Sequence, residues 1–304
     1  MTTLHVLMPP MKRAAPPDLQ HWLARGDRLA DVQHPRSAML RRWFRFTGND
    51  VPAAALRHHL HHDDAGSGSW LCADPAYVRS EPTGARLMAC PLSDLSDTEA
   101  HDLSAALKPL FGDAGMPLTL DTPSAWCLRL GETPKVAFTN PEDALGAGLL
   151  DCLPQGDAGR RWRHLFNEAQ ITLHAHPVNA SRTAAAKLPV NALWFWGAGT
   201  LPASVETALT TVATSDEVIR GLAKAARIRS VSPTPDALEG LREEGNVLLD
   251  LGAQQWNEDS SSRWLAYFRS ALRSRRFDAI ELAFASGECF RVRRAHRLRF
   301  WRRG

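Results

Sequence analysis

The alternation of hydrophobic and polar residues predicts a chain built from both strands and helices. The first apolar run, LHVLMP at 4–9, is short and ends at two prolines, as a buried strand does. Residues 16–26 place Leu19, Trp22 and Leu23 on one helical face and close with a glycine. The N-terminal pattern therefore predicts one strand followed by one helix.

The middle of the chain predicts antiparallel strands and two longer helices. Two strand-like runs flank the turn residues EPTG, which indicates a hairpin. Ser96 and Glu99 have the spacing of a capping box and precede an amphipathic stretch. The predicted elements are strands at 70–81, 85–91 and 125–130 and helices at 97–111 and 157–175.

The last third alternates strand-like and helix-like segments. Thr214 and Glu217 have capping-box spacing before the helix EVIRGLAKAAR. The segments that follow are IRSVS, PDALEGLREE, NVLLDL, SSRWLAYFRSALRS, FDAIELAF and CFRVRRA. A helix between successive strands predicts βαβ units with a parallel sheet, and the turn ASGE predicts a final antiparallel hairpin. The loop DDAGSGS at 63–69 marks a subdomain boundary.

Composition places the chain among globular proteins. It has 304 residues, 44% hydrophobic and 23% charged, which leaves room for one large domain or two smaller ones. No apolar run reaches the roughly 18 residues of a membrane span, and the first residues lack the basic region of a signal peptide. The five cysteines form no CxxC pair. We therefore expect a cytoplasmic protein with no membrane partner and no disulfide framework.

The net charge of +3 is unevenly distributed, because residues 291–303 contain seven arginines and no acid. One interpretation is a solvated edge strand protected by arginine, which we favour. The alternative is contact with a small anion, RNA, DNA or an acidic protein surface. The candidate contacts are Arg291, Arg293, Arg294, Arg297 and Arg299.

Histidine clusters are the other candidates for chemistry. RHHLHHDD at 57–64 has a composition that can bind metal, although a His-rich helix end or exposed loop is the favoured interpretation. His164 and Glu168 share a helix face at i, i+4, and a polar face is again favoured over acid–base chemistry. GxGxxG, Walker A, GxSxG and HExxH motifs are absent. We therefore predict no cofactor and no metal site.

One segment carries a family resemblance. HPVNASRTAAAKLPVNALWFWGAG at 176–199 resembles a stretch of the archaeal-type cofactor-independent phosphoglycerate mutases. The segments at 70–100 and 141–156 resemble further parts of that family, and the segment at 16–26 resembles a helix of the wider alkaline-phosphatase-like superfamily. The matching positions in the first segment are His176, Pro177, Val178, Asn179, Arg182, Pro189, Asn191, Trp194, Trp196, Gly197 and Gly199.

The resemblance implies a fold and a set of ligand contacts. The fold is α/β, with a reduced alkaline-phosphatase-like core at 1–64 and 200–304 and an inserted α+β subdomain at 65–199. The polar members of the motif either contact an anionic ligand or only order the chain where the subdomain rejoins the core. These candidate ligand-binding residues are His176, Asn179, Arg182 and Asn191. Trp194 and Trp196 are expected to be core residues.

Departures from the family pattern concern its metals. The mutases transfer phosphate on a two-metal site whose first ligand is an Asp-Gly pair after strand one, where this chain has Pro9, Pro10 and Met11. Beyond His176 the chain has one histidine, His296, and Asp250 ends a strand with no histidine nearby. A two-metal site cannot be assembled from these residues, so no catalytic residue is assigned. A shortened proteobacterial group with mutase or regulatory-protein labels shares the W-x-W-G-x-G ending and the Arg/Trp-rich C-terminus.

Three functional hypotheses follow. The leading one is a non-catalytic or regulatory homologue of the mutases that binds a small anionic or phosphorylated ligand or a protein partner. The second is an enzyme of altered metal dependence, either a mutase-like isomerase or a phosphohydrolase. The third is a nucleic-acid-binding protein that uses the arginine-rich segment.

Overall fold

The computed structural model describes residues 2–14, 16–31, 39–48, 50–82, 84–241, 245–252, 254 and 256–299. The chain forms two compact units. The first unit combines Met1–Thr47 with Ala203–Gly304, and the second unit is Gly48–Pro202. The middle of the chain is thus inserted between the two parts of the first unit. A division into folding domains at 64/65 and 199/200 stays a prediction.

A mixed sheet of seven strands forms the centre of the first unit. Its strands are β1 (Thr3–Met8), β2 (Asp27–Arg28), β10 (Leu209–Ala213), β11 (Arg229–Val231), β12 (Asn246–Asp250), β13 (Ala279–Phe284) and β14 (Cys289–Arg293). The order is β11-β10-β12-β1-β13-β14-β2. Five neighbouring strands are parallel, and β14 and β2 continue the sheet in antiparallel pairing. A separate pair joins β3 (Phe44–Arg45) to β9 (Glu206–Thr207).

Helices connect the strands of this sheet. They are α1 (Met11–Ala14), α2 (Pro17–Ala24), α9 (Glu217–Ala225), α10 (Pro235–Glu239), α11 (Glu258–Arg273) and a 3-10 turn at Arg294–Leu298. Helix α11 buries Trp264, Leu265 and Phe268 in the same core as Leu19 and Trp22 of α2. The predicted βαβ alternation and the final antiparallel hairpin are both confirmed, and so is the predicted α/β class.

The second unit has an antiparallel sheet covered by helices. The strands are β4 (Ser69–Glu81), β5 (Gly84–Ala89), β6 (Leu118–Thr122), β7 (Ala125–Leu130) and β8 (Ala192–Thr200). β4 pairs with β5, β7 and β8, and β6 pairs with β7. The helices are α3 (Ala53–His61), α4 (Asp97–Asp113), α5 (Pro141–Ala144), α6 (Leu149–Cys152), α7 (Gly156–His174) and α8 (Pro177–Ala184), with a 3-10 turn at Ala65–Ser67.

The glycines after the aromatic run let strand β8 approach helix α3. A Cβ at Gly197 would lie 2.6 Å from Ala53 Cβ, and one at Gly199 would lie 2.7 Å from Pro52 Cβ. Gly197 also has φ +63°, a conformation that disfavours side chains. Trp194 is buried as predicted. The aromatic-glycine ending is therefore explained by packing.

One predicted helix start is wrong. Asp216, not Thr214, caps α9, because its carboxylate accepts the backbone N–H of Ile219 at 3.0 Å. The Thr214 hydroxyl instead donates to Asp250 Oδ2 at 2.9 Å. The capping box of Ser96 and Glu99 is confirmed. Within the described part of the chain, no helix combines the length and apolarity needed to cross a bilayer.

Candidate functional site

The carboxyl ends of the parallel strands are the usual ligand edge of an α/β sheet. Here β1 ends at Met8 and is followed by two prolines, while β12 ends at the buried Asp250. Asp250 accepts hydrogen bonds from Thr214 and from the backbone N–H of Gly252. Among the described residues, no group of three metal-binding side chains lies at this edge.

The buried side chain of the motif residue Asn179 links the end of helix α7 to the segment before strand β8 by hydrogen bonds to the backbone of both. Its side-chain nitrogen donates to the carbonyls of Leu173 and Val190, both at 2.7 Å, and its oxygen accepts the Val190 N–H at 2.8 Å. Asn191 repeats this on the sheet, where its amide exchanges two bonds of 2.8 Å with the backbone of Val78. Both amides are thus engaged with backbone inside the second unit.

Arg182 and His176 also bond within their unit. The buried Arg182 guanidinium donates to Asp94 at 2.7 Å, to Glu99 at 3.1 Å and to the Leu188 carbonyl at 2.8 Å. His176 caps helix α8 by accepting the Val178 N–H. The structure therefore favours the ordering role for all four motif residues, and their ligand role stays a prediction.

In the arginine-rich C-terminal segment, some arginine side chains bond to acidic residues and others line one pocket together. Arg291 bonds Glu281 across the β13–β14 pair at 2.6 Å, and Arg299 bonds Asp27 at 2.7 Å. Arg293, Arg294 and Arg297 instead line a pocket. Residues 300–303 of the predicted segment lie outside the described residues.

This arginine pocket, of about 390 Å³, lies at the ends of α2, α11 and β14. Its floor is apolar and includes Trp22, Leu272 and Val292, and two histidines, His21 and His296, also line it. None of the described lining residues is acidic. Its cationic side chains are Arg25, Arg269, Arg273, Arg293, Arg294 and Arg297.

Topology places the arginine pocket opposite the usual ligand edge. Arg293 ends β14 and pairs with Ala279, the first residue of the parallel strand β13. The carboxyl edge is at the other end, where Met8 pairs with Phe284. Arg293 Nε is buried and has no hydrogen-bond partner. The pocket thus combines excess positive charge with an unsatisfied donor.

The pair of Arg291 and Glu281 predicts an acid-sensitive contribution to stability. A hydrogen bond with His5 and a second one with Arg291 lower the pKa of Glu281 to about 2, although burial of the carboxylate acts in the opposite direction. Because the pKa of Glu281 is lower in the folded than in the unfolded protein, its ionised carboxylate stabilises the fold at pH values above the unfolded pKa. This stabilisation is lost as the pH falls through 4 towards 2.

We expect Glu281→Gln to lower the free energy of unfolding by roughly 2–3 kcal/mol at pH 7. The difference from wild type should shrink as urea unfolding is repeated between pH 5 and pH 2.5. A difference that stays constant over this range would contradict the assignment. The same series on Glu288→Gln, in the turn between β13 and β14, serves as the control.

A buried ion pair joins α3 to the second unit's sheet. Arg57 binds Asp74 through two hydrogen bonds of 2.7 and 2.8 Å. Asp74 also accepts the Trp196 indole N–H at 2.7 Å and the Trp126 backbone N–H at 3.1 Å. The indole of the W-x-W motif is therefore one of the partners of a buried carboxylate, which the sequence pattern did not indicate.

Beside this pair lies a second, largely buried group, which we call the His58 cluster: His58, His62, Asp121 and Cys127. His58 Nδ1 lies 2.7 Å from Asp121 Oδ1, and His58 Nε2 lies 2.9 Å from Asp64. Burial opposes the charged imidazolium, but the bonds to Asp121 and Asp64 outweigh it and raise the pKa of His58. Burial raises the pKa of the Cys127 thiol. The RHHLHHDD segment is thus the end of helix α3, as the helix-end interpretation predicted, but its residues Arg57 and His58 are buried.

Comparisons with known proteins give a sequence relationship. No family model matches the chain. A segment of 62 residues is 37% identical to a probable 2,3-bisphosphoglycerate-independent phosphoglycerate mutase of Geobacter sulfurreducens, covering 20% of this chain. A segment of 64 residues is 38% identical to the 2,3-bisphosphoglycerate-independent phosphoglycerate mutase of Methanosarcina barkeri, covering 21%. The resemblance to cofactor-independent phosphoglycerate mutases is confirmed, and the match spans 16% of the length of each relative.

Two solved structures align along most of the chain at low similarity. A cofactor-independent phosphoglycerate mutase from Thermoplasma acidophilum aligns with 96% of this chain and 89% of its own, at 14% identity and a TM-score of 0.40. A Pyrococcus horikoshii protein aligns with 96% of this chain and 87% of its own, at 11% identity and a TM-score of 0.49.

Proposed function

We propose that the protein is a non-catalytic, regulatory relative of the cofactor-independent phosphoglycerate mutases that binds a small phosphorylated anion in the arginine pocket. The observation that carries the proposal is the convergence of six arginines with no acid among the described lining residues. Like charges held together repel one another, and a bound anion relieves this repulsion.

The shape of the pocket favours a small molecule. Its volume of about 390 Å³ lies within the range of small-ligand sites. The apolar floor formed by Trp22 and Leu272 suits a carbon skeleton, while the guanidinium groups suit phosphate or carboxylate oxygens. We therefore infer a ligand with at least one phosphate and a short organic part, of which a phosphoglycerate is an example.

The non-catalytic part of the proposal rests on the carboxyl edge of the sheet. Pro9 and Pro10 follow β1, and Asp250 is held by Thr214. Nucleophilic phosphoryl transfer on two metals needs several more carboxylate and imidazole ligands at one place. Turnover of phosphoglycerate by the purified protein with added Mn²⁺ or Mg²⁺, lost in Asp250→Asn, would establish the enzyme alternative instead.

Calorimetric titration with 3-phosphoglycerate tests the pocket. Arg273 and Arg297 are exposed, so replacing both by alanine should leave the fold intact. We expect the double variant to bind at least about ten-fold more weakly, because two charge-assisted contacts are lost. The matched control is the double variant Arg79→Ala and Arg160→Ala, which removes the same charge from the second unit and should bind like wild type. Equal affinities in wild type and the pocket variant would overturn the proposal.

Salt dependence separates a small anion from the other partners considered. A nucleic acid that covers the arginine-rich segment releases many counterions, so its affinity falls steeply with salt. A single phosphorylated molecule should show a shallow slope. Binding of an oligonucleotide, with a steep slope and with no response to 3-phosphoglycerate, would support the nucleic-acid alternative. A protein partner and a cytoplasmic location remain part of the proposal, the latter supported by five free cysteines.

A further inference from the structure

The donor atoms of the His58 cluster converge from three elements. His58 comes from helix α3 and His62 directly follows that helix, while Asp121 comes from β6 and Cys127 from β7. Cys127 Sγ lies 3.4 Å from His58 Nδ1 and 3.7 Å from Asp121 Oδ1. His62 Nε2 lies 3.2 Å from Asp121 Oδ1. The ligand atoms of His58, Asp121 and Cys127 all lie within 4.8 Å of one another, and His62 adjoins this group through Asp121.

Three of these separations are close to those of tetrahedral zinc coordination. Bonds of about 2.0–2.3 Å to nitrogen, oxygen and sulfur place neighbouring ligand atoms about 3.3–3.7 Å apart in a tetrahedron. The three longer separations fall near this range, and the 2.7 Å contact between His58 and Asp121 needs only a small opening. We propose that His58, His62, Asp121 and Cys127 form a structural zinc site.

Asp64 supplies the supporting contact that such a site requires. A metal-binding histidine commonly donates its other ring N–H to a carboxylate, which fixes the ring orientation. His58 turns Nδ1 towards Asp121 and Cys127 and donates Nε2–H to Asp64 at 2.9 Å. The ring is held from one face by Trp70, whose centroid lies 3.7 Å away. His58 is therefore oriented before any metal binds.

His62 has an unsatisfied atom aimed into the cluster. Its Nε2 is buried and makes no hydrogen bond, although its side chain is 37% exposed. On binding, the Zn²⁺ ion displaces one proton from the Cys127 thiol and one from His58 Nδ1, and its bonds form to the freed lone pairs.

Four protein ligands leave no open position for substrate. Such closed sites hold structure, whereas catalytic zinc keeps one position for water. The ion would tie the C-terminal end of α3 to the β6–β7 hairpin. This site is independent of the arginine pocket, which belongs to the other unit, and it departs from the expectation that the chain holds no metal.

Cobalt substitution provides a direct test. Metal-stripped protein is titrated with Co²⁺ and then Zn²⁺, and Zn²⁺ stoichiometry is read by native mass spectrometry. We expect one ion per chain, a near-ultraviolet charge-transfer band from a thiolate bound to Co²⁺, and bleaching of the band by Zn²⁺. Absence of stoichiometric binding to the folded, reduced wild type would overturn the proposal.

Variants assign the ligands. Cys127→Ser should abolish the charge-transfer band, while Cys152→Ser, a matched thiol outside the cluster, should retain it. Asp64→Ala should weaken Zn²⁺ binding about ten-fold through the lost second contact of His58. If Cys127→Ser does not fold, His62→Ala, at a partly exposed position, provides the same test through weakened affinity. A band that persists in Cys127→Ser, or unchanged affinity in His62→Ala, would show binding elsewhere and refute the site.

Discussion

Replacing Asp74 by alanine is expected to lower the free energy of unfolding by about 3–5 kcal/mol. Asp74 is completely buried and accepts hydrogen bonds from the Arg57 guanidinium, the Trp196 indole and the Trp126 backbone. Its removal leaves the Arg57 charge inside the protein without its carboxylate, and desolvation is then uncompensated. This is the largest stability effect that we expect from any single substitution considered.

Equilibrium urea unfolding, followed by circular dichroism and tryptophan fluorescence, measures this loss. Asp157→Ala is the control, since that carboxylate is 95% exposed and pairs with Arg160 on the surface. We expect the control to change stability by less than about 0.5 kcal/mol. A loss below about 1 kcal/mol for Asp74→Ala would mean that Arg57 finds other partners and that the pair does not hold α3 to the sheet.

Asn179→Ala is expected to cost about 3 kcal/mol. The substitution leaves the carbonyls of Leu173 and Val190 and the Val190 N–H without their partner inside the protein. An unsatisfied buried group costs about 1–3 kcal/mol, and partial relaxation reduces the sum. The segment between α7 and β8 should therefore lose its anchor.

The same variant decides between the two roles given to the motif. Ser181→Ala, an exposed neighbour on α8, is the control and should be nearly neutral in urea unfolding. Asn179→Asp keeps the acceptor but places a carboxylate against two carbonyls, so it should be at least as destabilising as alanine. If Asn179→Ala were stable and bound 3-phosphoglycerate more weakly, the ligand role of the motif would be supported instead of the ordering role.

Local sequence signals predicted the elements well where one periodicity dominates. The β1 run, the Ser96–Glu99 capping box and the βαβ alternation of the last third each depend on residues close in the chain. Thr214 failed as a cap because its hydroxyl bonds Asp250, which is on a neighbouring strand. A capping pattern covers only neighbouring residues, so it contains no information about a hydrogen-bond partner that is distant in the sequence.

The two candidate sites show the same limit. Arg293 and Arg297 were identified from the charge pattern, but their convergence with Arg273 depends on α11 packing beside β14. The sequence analysis singled out the histidines of RHHLHHDD, but it gave no role to Asp121 or to Cys127, which are more than fifty residues away along the chain. For each site, the sequence indicated some of the residues, and only the tertiary fold shows which other residues lie beside them.

Binding of an anion in the arginine pocket can be observed in a crystal structure of the protein soaked with 3-phosphoglycerate. We expect phosphate density among Arg273, Arg293 and Arg297, at the amino ends of the parallel strands. Phosphate density beside Asp250 and Thr214, at the carboxyl edge, would contradict it and restore a mutase-like site.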